Sequence, residues 1–150
     1  MLLGKLLWDL VQSSNKLWVD LLSDKYVAGP RILHAITHNS ALATWSSIIK
    51  AKNILKDGFS WRTRSGNSSF WSYPWSSFGY LGPLVPYIDI HDLQLTIKDV
   101  ISFPSPHTHV LYTQLPPIVS DNINNTHLKF NASLEDAFIW INNKSGTYTT

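Results

Sequence analysis

The sequence predicts an α+β fold, in which N-terminal helices over about residues 1–56 pack on short β-hairpins joined by long irregular loops. Apolar residues recur with a helical period up to residue 56, alternate from residue 59 onward, and are then interrupted by segments rich in Gly and Pro. With 150 residues and 44% hydrophobic content, the chain can bury one core. Its 15% charged content is below the roughly 25% of an average soluble domain. This deficit indicates either poor solubility or a surface that rests against another molecule.

Two helices are predicted in the first 27 residues, each with one apolar stripe at the i, i+3, i+4 and i+7 positions. The first stripe consists of Leu3, Leu6, Leu7, Leu10 and Val11. The second consists of Leu17, Trp18, Leu21, Leu22 and Tyr26. Gly29 and Pro30 follow the second stripe and predict the end of that helix.

A third helix is expected to start after Asn39 or Ser40, whose side chains can accept hydrogen bonds from free helical N–H groups. Its predicted apolar face comprises Ala41, Trp45, Ile48, Ile49 and Leu55. Gly58 is expected to end this helix in a left-handed conformation, which would let Phe59 pack back over the last turn.

A β-hairpin is predicted next. Residues 59–64 alternate between apolar and polar, residues 65–67 (Ser-Gly-Asn) have turn chemistry, and residues 68–73 are expected to return as the second strand. Residues 76–90 are expected to be irregular, and for residues 90–101 a helix is favoured slightly over a strand.

The remaining chain is expected to be a Pro-bracketed loop followed by one more strand. Residues 121–126 are predicted to be loop because they are almost entirely polar. Ala137, Ile139 and Ile141 alternate with Phe138 and Trp140, which predicts a strand that is apolar on both faces. Residues 143–146 then form a predicted turn.

The positive charge is concentrated in the first half of the chain. Residues 1–75 carry nine Lys or Arg and four Asp (+5), whereas residues 76–150 carry three Lys, five Asp and one Glu (−3). This mild bias suggests weak binding of RNA or DNA phosphates. The candidate contacts are Lys50, Lys52, Lys56, Arg62 and Arg64.

Aromatic residues lie before and after the two hairpin arginines, Arg62 and Arg64. Trp61, Trp71 and Trp75 could stack on unpaired bases, but large aromatics at alternating positions are more typical of a core packed on helices. We therefore favour core packing, with base stacking as the alternative.

No catalytic or metal-binding pattern stands out. The chain lacks cysteine, and the pairs His34/His38 and His107/His109 have no third ligand at a defined spacing. The closest acidic groupings, Glu135–Asp136 and Asp89/Asp92, are typical of caps and turns. We expect no enzyme activity, no cofactor and no small-molecule substrate.

The chain is also expected to be intracellular, either nuclear or cytoplasmic. The apolar start is broken by Lys5 and Asp9 and no cleavage site follows, which argues against a signal peptide. No run approaches the roughly 20 apolar residues that span a bilayer.

Several blocks resemble plant LINE-type (non-LTR) retroelement proteins, in the region between the reverse-transcriptase domain and the reverse-transcriptase zinc-binding segment. These blocks are "LKDGFSWRTRSG", "SSFWSYPW" and "FIWINNKSGTYTT". The motif positions that carry the resemblance are Gly58, Trp61, Gly66, Trp71, Pro74, Trp75, Trp140, Gly146 and Tyr148. Arg64 replaces one of the family's glycines, and Tyr73 stands where the family has Asp.

The resemblance implies a non-catalytic connector related to RNase H-containing retroelement proteins. In the family, the polymerase site lies upstream of this region and the zinc ligands and RNase H carboxylates lie downstream. We therefore expect residues 1–150 to form a single truncated connector, with a helical part (1–56) and a hairpin and loop part (57–150). The alternative is a stand-alone module that binds RNA or single-stranded DNA through the basic helix end and the aromatic hairpin.

Overall fold

The structure, a computed structural model, describes residues 2–27, 32–36, 42–102, 106 and 108–149. Within these ranges the chain has five α-helices and one two-stranded antiparallel sheet, which confirms the α+β class. The helices are α1 (Leu2–Val11), α2 (Leu17–Tyr26), α3 (Ala43–Leu55), α4 (Ile97–Val100) and α5 (Pro117–Asn124). The strands are β1 (Phe59–Arg62) and β2 (Ala137–Trp140).

The chain forms two compact units. The terminal unit comprises residues 1–60 and 138–150, and the central unit comprises residues 61–137. This division differs from the expected boundary at residue 56, because the last strand and the residues after it belong with the N-terminal helices.

The core of the terminal unit contains residues from α1 and α3. Leu7 and Leu10 of α1 are buried, as are Trp45 and Ile48 of α3, which confirms the apolar faces predicted for these two helices. Trp45 also stacks on Tyr26 of α2, with ring centroids 4.7 Å apart.

The apolar stripe predicted for α2 is wrong at Leu17 and Leu21, whereas its other members, Trp18, Leu22 and Tyr26, are half-buried. Val19 is the buried residue of this helix, whereas Leu17 and Leu21 are 76% and 60% exposed. At about 100° per residue, Val19 lies roughly opposite both leucines, so α2 can bury only one of these two apolar faces. The predicted end at Gly29–Pro30 and the predicted cap at Asn39–Ser40 lie outside the described residues.

The predicted hairpin is also wrong. The sheet pairs β1 with β2, and the N–H of Ile141 donates to the carbonyl of Gly58 at 2.9 Å. Residues 68–73 instead form turns, with one isolated bridge between Ser69 and Thr96. The alternating residues of β2 provide an apolar partner for β1 that local turn chemistry cannot indicate.

The core of the central unit is built from short elements. Its buried cluster comprises Phe70, Trp71, Leu81, Val85, Ile97, Val100, Ile101, Val119 and Ile123. The helix favoured for residues 90–101 is reduced to α4, preceded by one 3₁₀ turn at Ile90–Asp92. The loop predicted at residues 121–126 is wrong for its first four residues, which belong to α5. Pro117 occupies the first turn of α5, and Val119 and Ile123 are the buried residues of this helix.

Among the described residues, no helix has the length and apolar character needed to cross a bilayer.

Candidate functional site

The lysines at the end of α3 do not all face solvent. Lys50 and Lys56 are exposed, whereas Lys52 is buried and its Nζ donates to the carbonyl of Ala35 at 2.9 Å. Burial, and secondarily the charge of Lys56, lowers the pKa of Lys52. The expected contact between Lys52 and phosphate therefore does not fit the structure, because the ammonium group already has a partner inside the fold.

The two arginines of the central unit differ in exposure. Arg62 is exposed at the end of β1, and Arg64 is half-buried. The backbone N–H of Arg64 donates to Oδ1 of Asp136 at 2.5 Å. Arg64 is thus fixed through its main chain, and Arg62 offers the more accessible cation.

Asp136 organises the turn that follows β1. Its Oδ1 accepts from the N–H groups of Arg64 and Gly66, and its Oδ2 accepts from Ser68 N at 3.1 Å. Burial alone would raise the pKa of Asp136, but the hydrogen bonds from Arg64, Gly66 and Ser68 outweigh it and hold the pKa below its ordinary value. The sequence correctly associated Asp136 with turn chemistry, but not with a turn some 70 residues away.

Gly66 is required in this turn for two reasons. Its φ is +74°, a left-handed conformation that is costly for residues with a side chain. A Cβ added here would also lie 2.6 Å from the ring of Phe130 and 2.8 Å from Cβ of Lys98. The motif glycine thus permits both the turn and the close packing of neighbouring side chains.

Most of the motif aromatics of the central unit are packed inside it. Trp71 is 2% exposed and donates from Nε1 to the carbonyl of Asp92 at 2.9 Å. Trp75 and Pro74 are half-buried, and Trp75 donates to the carbonyl of Phe70 at 2.8 Å. Core packing is therefore confirmed for Trp71, which has no exposed ring face on which a base could stack.

Trp61 forms a second aromatic pair with Tyr73. Both side chains are half-buried, their ring centroids lie 4.5 Å apart, and Trp61 Nε1 donates to Oγ1 of Thr63 at 2.9 Å. Burial, and then the nearby charge of Asp136, raises the pKa of Tyr73. Each ring therefore covers part of the surface on which a base could stack on the other.

The motif residues of the terminal unit have packing roles. The ring of Trp140 occupies the space where a Cβ on Gly58 would lie, and Gly58 does not have the positive φ that the sequence predicted. This glycine is needed for close approach and not for a left-handed helix end.

Two further motif residues fix the segment after β2. Gly146 has φ +74°, and its carbonyl accepts from the N–H of Trp140 at 2.8 Å. Tyr148 packs edge-on against Trp140, with centroids 5.1 Å apart, and its hydroxyl fills the space beside Gly4 of α1. Local sequence patterns do not indicate the packing role of Gly4, because its partner Tyr148 lies 144 positions away along the chain.

The candidate acidic pair Asp89/Asp92 is used in backbone contacts. Asp92 is 1% exposed, and its two carboxylate oxygens accept from the N–H groups of Tyr112 and Thr113 at 3.2 and 2.7 Å. A hydrogen bond from the backbone of His91, and then one from its side chain, lowers the pKa of Asp89. Both carboxylates therefore stabilise loop backbone. Asp92 lies at the end of the 3₁₀ turn Ile90–Asp92, and not at the start of a helix as the sequence suggested.

Metal ligands do not converge in the described part of the chain, where no group of three or more His, Asp or Glu side chains is placed to hold an ion. His34 is exposed at the last position of the 3₁₀ turn Ile32–His34, whereas His38 and His107 lie outside the described residues.

No family model, curated protein or solved structure matches this chain.

Proposed function

We propose that this chain is the connector segment of a plant non-LTR retroelement reverse transcriptase, an intracellular protein in which the segment itself is non-catalytic. The proposal is supported by the roles of the motif glycines. Gly66 and Gly146 adopt positive φ, and Gly58 leaves space for the Trp140 ring. These three glycines act on backbone and packing geometry, which fits the structural role that the resemblance implies for a connector.

The nucleic-acid contribution that we propose is weak and purely electrostatic. Lys50, Lys56 and Arg62 are exposed and can contact phosphates, but Lys52 donates to a main-chain carbonyl and Arg64 is half-buried. Each phosphate contact on a single strand contributes about −0.7 to the slope of log affinity against log salt concentration.

The exposed cations also favour a second candidate, a stand-alone module for RNA or single-stranded DNA. Such a module gains affinity from base stacking, about 1–3 kcal/mol per base. Trp71 is buried, and Trp61 and Tyr73 are paired with each other, so these rings leave little stacking surface. We therefore prefer the connector.

Titration of the purified protein with a fluorescein-labelled 20-nucleotide single-stranded RNA at 50 and 200 mM salt tests both candidates. The connector predicts a dissociation constant no tighter than about 10⁻⁶ M, a shallow salt slope, and loss of binding in the triple variant Lys50→Gln, Lys56→Gln, Arg62→Gln. Lys5→Gln, also exposed, is the matched control.

Nanomolar affinity of the unsubstituted protein, reduced by the triple substitution, would favour the stand-alone module. Mg²⁺-dependent cleavage of an RNA–DNA hybrid by a clean preparation would establish an enzyme instead. The family assignment is tested separately by sequencing the full transcript, where we expect a Tyr-x-Asp-Asp motif upstream and a Cys/His cluster downstream.

A further inference from the structure

An apolar groove lies between the helices of the terminal unit. Its volume is about 550 Å³, which falls within the range of small-molecule sites. The groove is lined by Leu6, Trp18, Leu21, Leu22, Lys25, Leu42, Thr44 and Ile48. It exists because α2 buries Val19 and leaves Leu21 and Leu22 on the side that faces the groove.

The groove has one charged group. Lys25 is exposed, and among the described residues its ammonium forms no ion pair; its Nζ lies 5.2 Å from the ring centroid of Tyr26. Thr44 is the other polar lining residue. A ligand that matches this lining has a long apolar part and one anionic group.

The lining of the groove suits a single alkyl chain with an anionic head, because it is apolar apart from Thr44 and Lys25. An extended alkyl chain can lie against Leu6, Leu22 and Ile48 while its head remains beside Lys25.

We propose that this groove binds a monomeric single-chain amphiphile with an anionic head group, such as a fatty carboxylate. The alkyl chain lies among the leucines of α1 and α2, and the carboxylate pairs with the Lys25 ammonium at the solvent-exposed edge. This site is independent of the proposed nucleic-acid contacts, because Lys50, Lys56 and Arg62 do not line it.

Isothermal titration calorimetry with dodecanoate, kept below its micelle concentration, tests the site on the full chain. We expect one site with a dissociation constant on the order of 10 μM. Lys25→Glu should weaken dodecanoate binding about tenfold, because it replaces an attraction at the head group by a repulsion. Lys5→Glu, an exposed charge reversal on α1 outside the groove, should leave binding unchanged.

A second pair of variants tests the apolar part of the site. Leu21→Glu places a charge in the groove and should abolish binding, whereas Leu17→Glu, at a more exposed leucine of the same helix outside the groove, should not. Both leucines are largely exposed, so neither change should unfold the protein; circular dichroism of each variant checks this.

Equal binding of dodecyltrimethylammonium would overturn the proposal, because it would show adsorption of any alkyl chain without recognition of the head. Binding only above the micelle concentration, or binding that neither Lys25→Glu nor Leu21→Glu weakens, would also overturn it. Displacement of dodecanoate by an amphipathic helical peptide, at an affinity tighter than that of dodecanoate, would assign the groove to a protein partner.

Discussion

Oδ1 of Asp136 accepts a hydrogen bond from the backbone N–H of Gly66 at 3.0 Å, across 70 residues of sequence. The same carboxylate binds the N–H groups of Arg64 and Ser68, so one side chain satisfies three donors of one turn. Without it, these amides would have to find water in a partly buried site.

Asp136→Asn should therefore destabilise the protein by about 2 kcal/mol, the usual range for hydrogen bonds to a charged group. The folded-state pKa of Asp136 lies below its ordinary value, so its stabilising contribution is fully present above about pH 4 and is lost as the pH falls through the folded-state pKa. Urea denaturation of both proteins between pH 7 and pH 3 measures this. The exposed neighbour Glu135 provides the control, Glu135→Gln, and an equal cost for both substitutions would contradict the assigned role.

Gly66→Ala should cost more than Gly79→Ala, although both glycines have nearly the same positive φ, +74° and +76°. Backbone strain at positive φ should lower the free energy of unfolding by about 1 kcal/mol in each variant. Only at Gly66 does the new methyl group also meet other atoms, those of Phe130 and Lys98, whereas nothing lies within 4 Å at Gly79. Urea denaturation of the two variants compares them directly, and equal losses would show that the packing at Gly66 is dispensable.

Gly58→Ala is expected to destabilise the terminal unit because the methyl group would collide with the Trp140 ring. A smaller residue at position 140 should relieve the collision. In a double-mutant cycle, Trp140→Leu should therefore recover about 1 kcal/mol or more of the cost of Gly58→Ala. Additive effects would indicate that Gly58 acts through its backbone conformation instead.

Trp45 and Trp71 are both buried, with side chains 0% and 2% exposed, and can therefore be compared directly. Nε1 of Trp71 donates to the carbonyl of Asp92, whereas Nε1 of Trp45 has no hydrogen-bond partner in the described part of the chain. Trp71→Phe should therefore lower the free energy of unfolding by about 1–2 kcal/mol more than Trp45→Phe does, because only Trp71→Phe leaves a hydrogen-bond acceptor, the carbonyl of Asp92, without its donor. Urea denaturation followed by circular dichroism measures both losses, and a larger loss for Trp45→Phe would contradict the assignment.

Lys52 provides a test at alkaline pH. Its pKa in the folded state is lower than in the unfolded chain, so the unfolded state binds more protons between these two values and Lys52 makes stability rise with pH there. Lys52→Met should remove this rise, while Lys56→Met should retain most of it, because burial and not the charge of Lys56 is the larger cause of the lowered pKa. Denaturation series at pH 8 to 10.5 on the three proteins provide the comparison, and Lys52→Met should leave RNA binding unchanged.

The features that were predicted correctly depend on residues that are close to one another in sequence. Periodicity places Leu7 and Leu10 on one face of α1, and the alternating residues 137–141 predict a strand at β2, although only the structure shows that Phe138 and Trp140 form its buried side. The stripe on α2 was wrong at Leu17 and Leu21 because the apolar residues are spread around this helix. Which of its faces is buried depends on the elements that pack against it, and the sequence pattern does not show these.

The candidate site was harder to predict because distant residues determine it. Lys52 is withdrawn from solvent by a carbonyl 17 residues earlier, and Asp136 reaches a turn 70 residues earlier. Gly58 was expected to be important, but for the wrong reason, since its partner Trp140 lies in the last strand. Composition and spacing contain no information on such pairs.

The terminal unit is assembled from two pieces of chain, residues 1–60 and 138–150, that are separated by the whole central unit. During synthesis the first 60 residues leave the ribosome well before Trp140 and Tyr148, the aromatics that pack against Gly58 and Gly4. The central unit has its own continuous stretch of chain and can fold first. Residues 1–60 are therefore expected to be made before the central unit but to complete their packing after it.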